Sequence, residues 1–168
     1  MFKPLEDSTA TKKIPYIEDA RSDYAPYYSS SVSVQSAQAA VAVELGKLGG
    51  ILTAFVAGVF DLSPKRYGYE IRFLFAGRPG VIRVAGLPIK AKETDAKLKQ
   101  VRVQALLVVR DWLKSSVTSA IFAPNSNILY QHLLVDQNQT IADLLVKSGQ
   151  LYLPSGDVVE GEFEIVDE

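Results

Sequence analysis

The chain has 168 residues, 48% apolar and 22% charged, with a formal net charge of −1; such a balance fits one packed domain rather than a disordered segment. Cysteine is absent and His132 is the lone histidine, which excludes disulfides, thiol catalysis, thiolate zinc and multi-histidine metal sites. No apolar stretch approaches the roughly 18 residues of a membrane span, and no basic-then-apolar leader opens the sequence, so a cytoplasmic protein with no membrane partner and no cofactor is expected.

Residues 1–30 read as an arm. Pro4, Pro15 and Pro26 punctuate it, and four of the eight tyrosines (Tyr16, Tyr24, Tyr27, Tyr28) lie in it, suited to packing on the body of the protein or on a partner. Residues 33–48 predict a helix: Val34, Ala37, Val41, Leu45 and Leu48 form one stripe, Ser33 is placed as N-cap and Gly49-Gly50 as the stop. Its outer face carries only Glu44 and Lys47, which points to cover on more than one side, a second subunit included.

Residues 51–60, ILTAFVAGVF, are continuously apolar and too short for a typical helix, so a buried strand is expected. Residues 69–85 predict a hairpin. Tyr69, Ile71, Phe73 and Phe75 alternate with Glu70, Arg72 and Leu74, and Gly77-Arg78-Pro79-Gly80 supplies the turn. If residues 76 and 81 pair, Phe75 meets Ile82 and Phe73 meets Val84 on an apolar face, leaving Arg72 and Arg83 on the other. After a basic linker, residues 95–117 predict a second helix with the stripe Leu98, Val101, Ala105, Val108 and Trp112, capped by Thr94. Lys99, Arg110 and Lys114 fall on the opposite flank, where Val103 and Leu107 require a second apolar contact. Residues 127–135 and 140–147 predict two short helices, the second opened by Thr140 with Asp143. In 157–168, Glu160, Glu162 and Glu164 alternate with Phe163 and Ile165, an edge strand or a solubilising acidic tail that is also able to fold back on a basic surface.

The fold class that satisfies this order is α+β: a helix, a three-stranded antiparallel sheet and a helix, then two short helices. The expected division is an arm at 1–30, one domain at 31–153 and an acidic tail or edge strand at 154–168.

Catalytic signatures are missing. His132 has no Gly-x-Ser-x-Gly elbow to serve, and neither a phosphate loop nor a dinucleotide turn is present. A magnesium-dependent nuclease would need an acid on the third strand, but Val81-Ile82-Arg83-Val84-Ala85 has none to join Asp61 and Glu70; Asp95-Ala96-Lys97 sits at a helix start instead. No enzymatic activity and no metal site are expected.

Charge supplies the positive lead. Residues 1–63 carry net −2, residues 64–114 carry 12 basic and 4 acidic side chains for net +8, and residues 115–168 carry net −7. A basic middle attracts polyanions, although Lys and Arg also solvate ordinary helix and hairpin faces. Arg72, Arg83, Lys90, Lys92, Lys97 and Lys99 are the candidate phosphate contacts, for the backbone of DNA or RNA. No aromatic platform for base stacking accompanies them.

The element order and the Lys-rich start of the second helix resemble a double-stranded-RNA-binding domain, which implies that Lys90, Lys92, Lys97 and Lys99 cross phosphates; that family's glycine-rich Lys-Lys-x-Ala-Lys string is absent. Over residues 67–154, the strand 69–75, Leu87-Pro88, Gln104-Ala105-Leu106, Asp111-Trp112-Leu113, Leu133-Leu134-Val135 and Thr140-Ile141-Ala142 resemble a pattern in small uncharacterised proteins of phages and other bacterial mobile elements. That resemblance implies a cytoplasmic protein for which handling nucleic acid is a common task. Two functions result: a non-enzymatic nucleic-acid-binding accessory protein, or a structural interaction protein, homo-oligomeric through the uncharged helix face, Val103, Leu107 and the tyrosine arm.

Overall fold

The computed structural model describes residues 14–21 and 25–148. The expectations for Tyr24, for the helix stop at Gly149 and for the acidic 157–168 segment lie outside those residues. Three antiparallel strands, β1 (Ile51–Phe60), β2 (Arg66–Phe75) and β3 (Arg78–Ala85), form a sheet in the order β1-β2-β3. Helix α1 (Val34–Lys47) precedes the sheet, α2 (Asp95–Phe122) follows it, and a 3-10 turn (Ile128–His132) and α3 (Ile141–Ser148) complete the order. The fold is α+β, as the hydrophobic periods require.

The helix starts are local chemistry. Ser33 Oγ accepts the Ser36 N–H at 3.1 Å, and Thr94 Oγ1 accepts the Lys97 N–H at 3.3 Å, each satisfying an amide that the first turn leaves open. Thr140 and Asp143 bond reciprocally, Thr140 N–H to Asp143 Oδ2 at 2.9 Å and Asp143 N–H to Thr140 Oγ1 at 3.2 Å. Gly49, at φ +87°, turns the chain out of α1.

One face of the sheet is the floor of the core. Tyr69, Ile71, Phe73 and Ile82 are buried against Val41 and Leu45 of α1 and against Val103, Leu106 and Leu107 of α2. Val103 and Leu107 thus find their second apolar contact inside the chain, while Val108, expected in the core stripe, is exposed. α2 is buried nearly all round at its middle because the arm packs on it as well. The Gln104 side-chain amide donates to the Pro26 carbonyl at 3.0 Å, and Gln100 donates to the Tyr28 carbonyl. α2 runs to Phe122, five residues past the expected end, with Ile121 and Phe122 exposed in its last turn.

Three expectations are corrected. The strand at 51–60 is not buried: it is an edge strand, and Ile51 is 65% and Val59 55% exposed. An apolar run records only that both faces are uncharged, and on this strand Val56 of the outer face and Val59 of the inner face both meet solvent. The hairpin turn is Ala76-Gly77, with φ of +51° and +72°, the backbone of a two-residue type I′ turn. Phe75 therefore pairs with Arg78, Phe73 with Gly80 and Ile71 with Ile82. The slip from the expected register is four residues, an even number, so Arg72 and Arg83 still share the outer face. Pro79 fits inside β3 because Leu74 and Pro79 form a pair that exchanges no hydrogen bonds, so its missing N–H leaves the ladder intact. Its carbonyl points away from β2 and accepts the Leu134 N–H at 3.0 Å. Finally, residues 127–135 are not a full helix. The 3-10 turn ends at His132, and Leu133 runs alongside Gly80 as a one-residue bridge on the free edge of β3.

Candidate interaction surface

The six candidate phosphate contacts divide between two surfaces. Arg72 and Arg83 project from the outer face of the sheet, and the four lysines lie at the start of α2 and in the linker before it, on the helix side. On the outer face, Glu70 stands between the two arginines, its oxygens 2.9 Å from Arg72 Nε and 3.2 Å from Arg83 Nε. Burial would raise the Glu70 pKa, but the hydrogen bonds from Arg72 and Arg83 outweigh it and hold the carboxyl below its usual range. Arg83 also donates to the Asn138 carbonyl at 2.8 Å and lies 3.5 Å from Asp143 Oδ2. Arg83 thus stitches β3 to β2 and ties the sheet to the 133–140 segment that folds over the outer side of β3, while Arg72 pairs within β2.

The lysines meet the arm. Lys97 Nζ is 2.9 Å from Glu18 and Lys90 Nζ 3.9 Å from Asp19. The Glu18 carboxylate also accepts the Lys90 and Ala91 N–H groups at 3.0 and 3.1 Å. Lys92 and Lys99 form no ion pair among the described residues. Farther along α2, Tyr27 donates its hydroxyl proton to Asp111, and Arg110 bonds both, with 2.7 Å from Nη2 to the tyrosine oxygen. The Asp111 bond, with burial, pushes the Tyr27 hydroxyl up.

Among the described residues no group of three His, Asp or Glu side chains is placed to hold a metal ion, and no helix is long and apolar enough to cross a membrane. Asp61 lies in the β1–β2 loop while Glu70 is engaged by two arginines. His132 is half-buried and edge-on to Trp112 at 5.4 Å; burial lowers its pKa.

Among the described residues, the surface without internal partners is the β1 edge. Among the described residues β2 alone pairs with β1. Ten consecutive residues there carry no charge and no proline. Ile51, Val56 and Val59 are exposed along the strand, and Leu62 follows in the loop at 52%. A shallow hollow of about 390 Å³ runs along its outer side between Val56, Phe60 and the Arg72–Glu70–Arg83 array. On the other layer, α1 packs beside β1 and leaves Gln35, Ser36, Ala39 and Val43 exposed, none of them charged. The sequence holds a trace of this surface in its lack of polar alternation over 51–60, which reads equally as burial between layers. No protein-family model, curated protein or solved structure matches the chain.

Proposed function

We propose that the chain is a non-enzymatic interaction protein, cytoplasmic, that assembles with protein partners through the β1 edge. The observation that carries this reading is the open, uncharged strand itself. Unpaired backbone N–H and C=O groups are a template for another strand, and protein edges are ordinarily blunted by lysine, proline, an inward charge or a bulge. β1 has no charge and no proline over residues 51–60, and its one bulge, between Leu52 and Ala54, lies near its start and leaves 54–60 regular. The basic segment weighs less, because Arg72, Arg83, Lys90 and Lys97 already face carboxylates.

Binding of a nucleic-acid backbone is the second reading. In its favour, Lys92 and Lys99 have no acidic partner among the described residues, and Lys99 lines a hollow of about 350 Å³ with Ser29, Ser30 and Ser31. Fluorescence anisotropy with labelled single- and double-stranded DNA and RNA, at low and raised salt, separates the two. The interaction reading expects no saturable binding at low salt, where attraction to phosphates is least screened. Salt-steep binding that is lost when Lys90, Lys92, Lys97 and Lys99 are changed to Gln would overturn it and establish the phosphate-contacting surface.

A further inference from the structure

We infer that the occupant of the β1 edge is a second copy of this chain, paired β1 to β1 antiparallel across a two-fold axis at Ala57, so that two three-stranded sheets become one of six strands. The inference rests on the interaction reading above and names its partner. Three features of the strand lead to it.

The first is register. In an antiparallel pair, opposite residues share a face, so an axis perpendicular to the sheet must pass through a residue position. The bulge interrupts regular pairing between Leu52 and Ala54, which leaves 54–60 as the regular span, and Ala57 is its midpoint. The second is fit. About that axis, Ala54 lies opposite Phe60 and Val56 opposite Gly58 on the outer face, large against small each time. Phe55 lies opposite Val59 on the inner face, a pairing of aromatic with β-branched side chain that stabilises sheets. Beyond the regular span the bulge steps the register by one residue, so Ile51 of one copy lies at the same end as Leu62 of the other, and the exposed Ile51, Val56, Val59 and Leu62 all fall within one footprint. No residue from 51 to 60 brings a charge against its own copy.

The third is area. Ten residues of strand extend about 34 Å, and a footprint of that length and roughly 20 Å across, sheet plus helix layer, covers about 700 Å² on each copy. The total of about 1,400 Å² lies within the range of stable specific interfaces. Self-pairing also accounts for the lack of charge: an edge consumed by its own copy needs no lysine.

The test uses the full chain, whose lack of cysteine allows a single one to be introduced. Light scattering of the wild type over a wide concentration range is expected to give twice the 18.4 kDa chain mass. Ala57→Cys places two sulfurs opposite each other at the axis, within reach of a disulfide, and is expected to cross-link fully under mild oxidation. Ser119→Cys, exposed on α2, is expected not to. Ala57→Lys sets two ammonium groups face to face and is expected to weaken association at least tenfold while circular dichroism stays unchanged; should that variant not fold, the cysteine pair still decides. A monomeric mass at every concentration overturns the inference, and so does a dimer that resists Ala57→Lys and gives no Ala57→Cys disulfide. A monomer that binds no nucleic acid removes the second copy and leaves the interaction reading in place. A monomer with salt-steep nucleic-acid binding removes both.

Discussion

Glu18 offers the most direct test of how the arm is held. It sits in a 3-10 turn at Ile17–Asp19, whose first N–H donates to the Pro88 carbonyl at 2.9 Å. Its carboxylate then collects the Lys90 and Ala91 N–H groups and the Lys97 ammonium, which lies 2.9 Å away. Burial alone would raise its pKa; the bonds from Lys90, Lys97 and Ala91 overcome that and lower it from 4.5 to about 2. A shift of that size corresponds to roughly 3.4 kcal/mol at about 1.36 kcal/mol per pH unit. The carboxylate side chain is 24% exposed and solvent screens it, so about 1 kcal/mol is the working expectation. Because the folded pKa is depressed, the contribution is complete above pH 4.5 and is lost as pH falls through about 2. Glu18→Gln removes the charge and keeps an acceptor oxygen for one of the two amides, setting its NH2 group against the other. Urea unfolding of both proteins across this range should show the variant less stable by about 1 kcal/mol at neutral pH, with the gap closing towards pH 2. Hydrogen exchange at the Lys90 and Ala91 amides should quicken in the variant even if the arm opens alone. A stability gap that does not change with pH, or no gap at neutral pH with unaltered exchange, would refute the clamp.

Three other outcomes follow from single sites. Ala76 holds φ +51° in the hairpin turn, a conformation that costs an alanine about 1 kcal/mol and that asparagine tolerates, so Ala76→Asn should stabilise by about 0.5–1 kcal/mol in denaturant unfolding; destabilisation would argue against the type I′ turn. Gly80 lies under the Phe73 ring, and a methyl there would run into that ring and stand 2.9 Å from the His132 carbonyl oxygen. Gly80→Ala should therefore cost about 1–3 kcal/mol by overpacking, read as a lowered thermal midpoint, and an unchanged midpoint would contradict this packing. Burial lowers the His132 pKa, so its imidazole should titrate below 6.5 by NMR, with stability lost as pH falls below 6.5 through the folded value. His132→Phe should flatten that part of the profile, and Trp112 fluorescence should follow it; a titration at or above 6.5 would refute the buried neutral ring.

The parts of the fold that were legible in the sequence are those decided within a few residues. Ser33, Thr94 and the Thr140–Asp143 pair cap the helices they were placed on, because a cap is a local hydrogen bond. The two faces of the hairpin were legible too, since alternation survives any even slip. Its register was not: Gly77-Arg78-Pro79-Gly80 has turn composition, yet Ala76-Gly77 makes the turn while Arg78, Pro79 and Gly80 enter β3. What decides between them is distant, namely Leu133 and Leu134 bonding along Gly80 and Pro79. The apolar run at 51–60 failed for a related reason. Hydropathy tells which side chains avoid water in the finished assembly, but the number of layers that cover a strand is a property of the whole fold. The same blindness hid the candidate surface.

Charge sums over a window mislead in the same way, and more sharply. The segment 64–114 has net +8, yet Glu18 and Asp19 from the arm and Asp143 from α3 fold onto its cations; counting those three, 8 − 3 leaves +5 on that part of the structure. Six of its twelve cations, Lys65, Arg72, Arg83, Lys90, Lys97 and Arg110, stand within ion-pair distance of a carboxylate. Each such pair at a surface contributes little stability by itself. Their placement matters more: the pairs join the arm to α2 and its linker, the hairpin to α3 and β2 to β3, so the basic segment serves as the attachment point for two otherwise separate pieces of chain, the arm and α3. Half of the segment's cations are engaged in that way before any phosphate backbone arrives, whereas β1, among the described residues, has its whole outer edge unpaired.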